Sequence, residues 1–190
     1  MGWKGALRHE VVATLSLLLP LLGGALLHGL CLRYGWFGFL ARPIDGGRTL
    51  HGKAVFGHSK TFRGPLAVAA GAGAVWAIER TLAPPELGLA GLPGWWFGAL
   101  LGGAAELAEL PNSFVKRRLG IAPGATARGA LAVVFYLWDQ LDVLLGFWLL
   151  AACFVPVTPL RIAVSVVIAS GIHPLLTVAG YLLGMRPTLR

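Results

Sequence analysis

Two aspartates three residues apart, Asp139 and Asp142 in the stretch DQLD, lie inside an apolar run. On a helix that spacing puts both carboxylates on one face. An acid in a membrane segment is costly and rare, and it marks a functional site by default. Hard divalent cations take carboxylate oxygen, and Mg2+ commonly uses one or two carboxylates together with substrate phosphates. Glu109 is a candidate third ligand, and Glu106 lies one turn deeper. Between these acids runs PNSFVKRRLG, which carries Asn112, Ser113, Lys116, Arg117 and Arg118. Pro111 reads as the stop of the preceding helix, so these bases are expected in a surface loop. There they serve either as anchors to lipid phosphate or as clamps on a substrate phosphate. Arg118 reads as an anchor.

A second basic stretch, ARPIDGGRTLHGKAVFGHSKTFRGP, holds five glycines within twenty residues: Gly46, Gly47, Gly52, Gly57 and Gly64. Such spacing lets backbone N–H groups come close to a ligand. Its end opens an apolar segment, where Ser59 or Thr61 can cap a helix whose positive end lies near Lys60 and Arg63. That is a ready anion site. The stretch GHSKT lacks the upstream glycine spacing of a P-loop. Phe56, Phe62, Ile44 and Val55 among the glycines argue for an ordered loop. Asp45 is either a turn former or a polar contact.

The elements that must hold these groups are apolar. The chain has 190 residues, of which 13% are charged, against about 25% in a soluble domain. Mean hydropathy is +0.73. Five stretches are long and apolar enough to span a bilayer: 11–32, 65–83, 94–110, 129–155 and 162–183. The fold class is therefore an all-α membrane protein of five transmembrane helices, one domain over residues 1–190, with two long loops at 33–64 and 111–128. Twelve bases fall on one side: Arg33, Arg42, Arg48, Lys53, Lys60, Arg63, Lys116, Arg117, Arg118, Arg128, Arg186 and Arg190. Four fall on the other: Lys4, Arg8, Arg80 and Arg161. The positive-inside rule then puts both long loops and the C-terminus in the cytoplasm and the N-terminus outside. At ~1.5 Å per residue, Glu109, Asp139 and Asp142 come out ~20–24 Å from the outer ends of their helices, at a shared depth under the cytoplasmic face. No Ser-His-Asp or Cys-His arrangement is evident, and Cys31 and Cys153 make neither a disulfide framework nor a metal-ligand spacing.

Taken in order, RPIDGG, FGHSKTFRG, SFVKRRLGIAPG and DQLD across five spans resemble the archaeal CDP-archaeol synthases, over roughly residues 42–146. The resemblance implies a multi-pass cell-membrane cytidylyltransferase that joins CTP to a lipid phosphate with two geranylgeranyl ether chains, releasing pyrophosphate. It implies Mg2+, with Asp139, Asp142 and Glu109 as metal ligands and Lys116 beside the aspartates in catalysis. It implies a nucleotide site drawn from Gly52, Lys53, Val55, Phe56, Gly57, Ser59, Lys60, Thr61, Arg63, Asn112, Ser113, Lys116 and Arg117. Partners are CTP, the lipid phosphate and membrane lipid, with no nucleic acid. Relatives usually carry Gly-Asp and then Leu-x-Lys-Ser where this chain reads Ala108-Glu109-Leu110-Pro111-Asn112-Ser113. Glu109 thus keeps a carboxylate on a longer arm, and Asn112 lacks a positive charge. Two rival readings are a cation transporter or channel built on the acidic cluster and a CDP-alcohol phosphotransferase. The latter lacks its Asp-Gly-x-x-Ala-Arg order here.

Overall fold

The computed structural model describes residues 2–83, 87, 89–182 and 184. Arg186 and Arg190 of the basic count lie outside the described residues. A helix occupies each of the five apolar stretches: α1 Trp3–Tyr34, α2 Arg63–Leu82, α3 Trp95–Leu107, α5 Ala130–Ala151 and α6 Pro159–Leu182. A sixth helix, α4 Glu109–Arg118, follows α3 after the single residue Ala108. Among the described residues α1 and α5 are each long and apolar enough to cross a bilayer. At ~1.5 Å per residue the 13 residues of α3 rise only ~20 Å.

Helix α4 overturns the loop expected from 111 onward. Pro111 is the third residue of α4. In the first turn an N–H has no intrahelical acceptor, so a proline there costs no hydrogen bond. Helix spacing then gathers Glu109, Asn112, Ser113 and Lys116 on one stripe. Helix α2 also begins differently from expectation. Its N-cap is Phe62, with no side-chain cap from Ser59 or Thr61.

The bundle is assembled by close backbone approach. A Cβ at Gly71 on α2 would lie 2.8 Å from the carbonyl carbon of Gly23 on α1. One at Gly146 on α5 would lie 2.5 Å from the Ala108 Cβ and would press on the Ala104 carbonyl. Small residues are what allow helices in lipid to approach this closely. The core is Trp76, Phe97, Leu101, Phe147 and Trp148, with the indole N–H of Trp148 donating to Ser165 on α6 at 3.0 Å. The outside of α5 is apolar: Leu137, Trp138, Leu141, Leu145 and Leu149 are all exposed, while Gln140 and Asp142 are buried. Polar groups inside and apolar groups outside suit a hydrocarbon surrounding. At one end of the bundle Arg161 of α6 pairs with Glu10 of α1 at 2.7 Å.

The glycine-rich stretch is an ordered lobe at the other end. Two strands, β1 Thr49–Leu50 and β2 Lys53–Ala54, pair antiparallel. They were not expected from the sequence. His51 and Gly52 turn the chain between them with φ of 51° and 73°. Two successive positive φ values match the two-residue turn whose twist fits a hairpin. The stem is closed by Ile44 N–H to Lys60 O at 2.9 Å and Phe62 N–H to Arg42 O at 3.1 Å.

Candidate functional site

The stripe on α4 meets the buried face of α5. Asn112 Nδ2 donates to Asp139 Oδ1 at 2.5 Å and to Asp142 Oδ2 at 2.8 Å. Lys116 Nζ reaches the same Asp139 Oδ1 at 2.5 Å and lies 5.3 Å from the centre of the Phe135 ring. Asp142 and Asn112 are each 3% exposed, and the amide oxygen of Asn112 has no hydrogen-bond partner. The second Asp142 oxygen accepts the Val143 N–H at 2.8 Å. The two aspartates of DQLD are thus joined through one side chain. They carry two negative charges against a single ammonium, an excess that suits a hard cation held by oxygen.

Glu109 lines the same cavity as Asp139 but makes its ion pair elsewhere. Its carboxylate is ion-paired with Lys60, which reaches it from the stem of the lobe. Burial pulls the Lys60 ammonium down, but the Glu109 carboxylate, helped by Glu106 and Asp142, outweighs it and leaves the pKa raised. Lys60 is therefore a fixed positive charge at neutral pH. Among the described residues no three His, Cys, Asp or Glu side chains gather as one metal-holding group.

The remaining predicted residues fall into two sets. Ser59, Lys60 and Thr61 line a cavity of about 640 Å³ together with Glu106, Glu109, Asp139 and Gln140. Away from these polar groups the cavity runs along α1 and α6, past Leu15, Leu18, Leu22, Ile168 and Ile172. Arg63 opens α2, and its Nε is buried without a partner. Arg117 is buried, with Nη1 unpartnered, and a Cβ at Gly57 would lie 3.9 Å from its Cδ. Ser113 is buried on α4. The second set is the hairpin with its flanks: Gly52, Lys53, Val55 and Phe56. Lys53 Nζ donates to the carbonyl of Arg118 at 2.8 Å, so it fastens the hairpin to α4. Val55 N–H closes onto Arg48 O at 3.0 Å.

Two residues matter more than their types suggested. Arg118 donates to the carbonyls of Leu50, Lys53 and Ala54 at 2.5, 2.9 and 2.5 Å. It is a clasp on the lobe, where a lipid anchor was expected. Asp45 accepts the N–H groups of Gly47, Phe56 and Gly57 at 2.9, 2.8 and 3.1 Å. It therefore turns the chain and also holds the far side of the lobe. Burial raises the Asp45 pKa, but the three N–H groups outweigh it and hold the carboxyl below the usual range.

A family model described as CarS-like, CDP-archaeol synthase, matches residues 36–189. The chain belongs to the CDP-archaeol synthase family. It is 35% identical over 153 residues to the CDP-archaeol synthase of Methanoculleus marisnigri, covering 76% of this chain and 87% of that one. It is 35% identical over 158 residues to that of Halobacterium salinarum, covering 76% and 81%. A solved structure described as an intramembrane enzyme for archaeal membrane lipids biosynthesis superimposes with a TM-score of 0.59 at 28% identity, over 84% of this chain and 89% of that one. All four residues of the α4 stripe, the lobe and DQLD lie within the matched range. Membership accounts for the bases and glycines beside the acids, which a cation pathway would not need.

Proposed function

We propose that this chain is a CDP-archaeol synthase, transferring the cytidylyl group of CTP to 2,3-di-O-geranylgeranylglycerol 1-phosphate. The observation that carries the reading is the joining of Asp139 and Asp142 through Asn112, with Lys116 on Asp139, beside a cavity whose far part is apolar, in a chain of this family. A phosphate oxygen of the lipid attacks the α-phosphorus of CTP. The bond from that phosphorus to the oxygen bridging to the β-phosphate breaks, and pyrophosphate leaves. A phosphate monoester is largely dianionic near neutral pH, its second pKa being ~6, so the nucleophile needs no general base. The protein's share is positioning and neutralisation of charge.

Asp139 and Asp142 would hold Mg2+, which supplies charge neutralisation at the phosphates when bound. Lys116, Arg117 and Arg63 would clamp the triphosphate, with Lys60 as a further base held toward it by Glu109. Arg offers a planar fork and Lys a point charge, so the four bases are not interchangeable. The lobe would cover the nucleotide from the cytoplasmic side, and the apolar cavity would take the isoprenoid chains. Five spans follow from the five apolar stretches, and an outer N-terminus and an inner C-terminus from the basic asymmetry.

The deciding experiment is purified protein incubated with labelled CTP, Mg2+ and the lipid phosphate. Formation of CDP-archaeol is expected, with Asp139→Asn and Asp142→Asn each folded, extractable and inactive. Absence of CDP-lipid from well-folded protein would overturn the reading. Near-normal turnover in either variant would remove that aspartate from the site.

A further inference from the structure

Asn112 touches both aspartates through one atom, and its other polar atom, the amide oxygen, is buried with no partner. We propose that this oxygen is the third protein ligand of the divalent cation, in place of Glu109; the proposal rests on the metal role of Asp139 and Asp142 above. Three observations converge on it.

The first is geometry. The amide head stands 2.5 Å from Asp139 Oδ1 and 2.8 Å from Asp142 Oδ2. Neighbouring ligands of an octahedral Mg2+ at 2.0–2.1 Å from the ion stand about 2.9 Å apart. The contact with Asp142 matches that spacing, and the one with Asp139 would open by about 0.4 Å. The two ends of a primary amide are nearly equal in size, and the last side-chain torsion of Asn is broad. A half-turn about it brings the oxygen to where the nitrogen now sits.

The second is the state of Glu109. Its carboxylate is committed to Lys60, and the described residues gather no group of three acidic, His or Cys ligands. An amide oxygen adds a donor without adding charge, so the site stays at two negative charges and a divalent cation neutralises it. The third is Lys116. It shares Asp139 Oδ1 with Asn112, so a cation that takes this oxygen frees the ammonium for phosphate.

The test is binding of Mn2+ alone, as a paramagnetic stand-in for Mg2+, to purified protein, followed by electron paramagnetic resonance. Asn112→Leu keeps the volume and removes the oxygen, and Mn2+ affinity is expected to fall about tenfold or more, the scale on which a metal site responds to a lost contact. Asn112→Asp is expected to bind Mn2+ at least as tightly as the parent, and to melt at a lower temperature than the parent without Mn2+ because three carboxylates then crowd one point. Loss of Mn2+ in Asn112→Asp as in Asn112→Leu would overturn the proposal, because a carboxylate oxygen can replace the amide oxygen as a ligand. So would parent-like Mn2+ binding in Asn112→Leu while Asp139→Asn loses it. Parent-like binding in Asp139→Asn as well would remove the aspartate site itself.

Discussion

Cutting Arg118 back to alanine should unfasten the glycine-rich lobe without unfolding the bundle. Its guanidinium holds three backbone carbonyls, on both strands of the hairpin, at 2.5–2.9 Å. A hydrogen bond to a charged donor is worth ~1.5–3 kcal/mol, but two of these three are exposed to solvent, so about 1 kcal/mol each is the better figure. Three such bonds give about 3 kcal/mol, or roughly 100-fold in the ratio of docked to undocked lobe. If CTP binds only the docked lobe, its affinity falls with the docked fraction, so the rise in KM for CTP has a ceiling of roughly 100-fold. Arg118→Lys should recover only part of this, because one ammonium lacks the fork that spans both strands. Two measurements check it together: the KM for CTP and hydrogen exchange of the Val55 amide, which closes onto Arg48 in the lobe. A KM within about twofold of the parent, with unchanged exchange at Val55, would refute the reasoning, because the docked population would then be indifferent to Arg118.

Asp45→Asn should loosen the same lobe from its other side, since an amide can present only one oxygen to the three N–H groups that Asp45 now accepts. Because the folded pKa of Asp45 is lowered, its contribution is present above the unfolded value of ~3.9 and lost as pH falls through the folded one, so the protection factors of the parent lobe, with the intrinsic pH dependence of amide exchange divided out, should be flat from pH 5 to 8. A loss of protection on going from pH 8 to pH 5 would contradict that assignment. Gly146→Ala should lower the melting temperature in detergent and reduce turnover, because the new methyl meets Ala104 and Ala108 and pushes α5 away from the carbonyls just before α4. An unchanged melting curve would mean the helices shift apart freely there. A cysteine placed at Gly52, in the open hairpin turn, should resist an impermeant thiol reagent in intact cells and react after lysis. Ready labelling of intact cells would reverse the orientation.

The acidic pair was legible because charge inside an apolar run has few explanations. The five helical stretches were legible for the same reason, with ends displaced by one to four residues except at the start of α1, which lies eight residues earlier than expected. Helix α4 was hidden by Pro111. A proline looks like a terminator from the sequence, and only the position of the helix start shows that it sits in a first turn, where it is harmless. That one misreading concealed the stripe of Glu109, Asn112, Ser113 and Lys116. Arg118 was hidden for another reason. Its acceptors are main-chain carbonyls sixty-four and more residues away, and a carbonyl leaves no mark on the sequence. Lys60 against Glu109 was also beyond reach, since it depends on how the stem before α2 lies against the start of α4, which hydropathy does not encode.

The glycine contacts between α1 and α2, and between α5 and the end of α3, have a consequence for handling the protein. Between helices in a bilayer there is no oil-and-water driving force, because the lipid tails are as apolar as the side chains. What keeps Gly71 against Gly23 is the fit of one backbone into the other. A fit of that kind asks little of the surrounding solvent. Exchange of lipid for detergent should therefore leave these two seams closed, and the first losses on solubilisation should come at the polar lobe, whose fastening depends on a few charges in water.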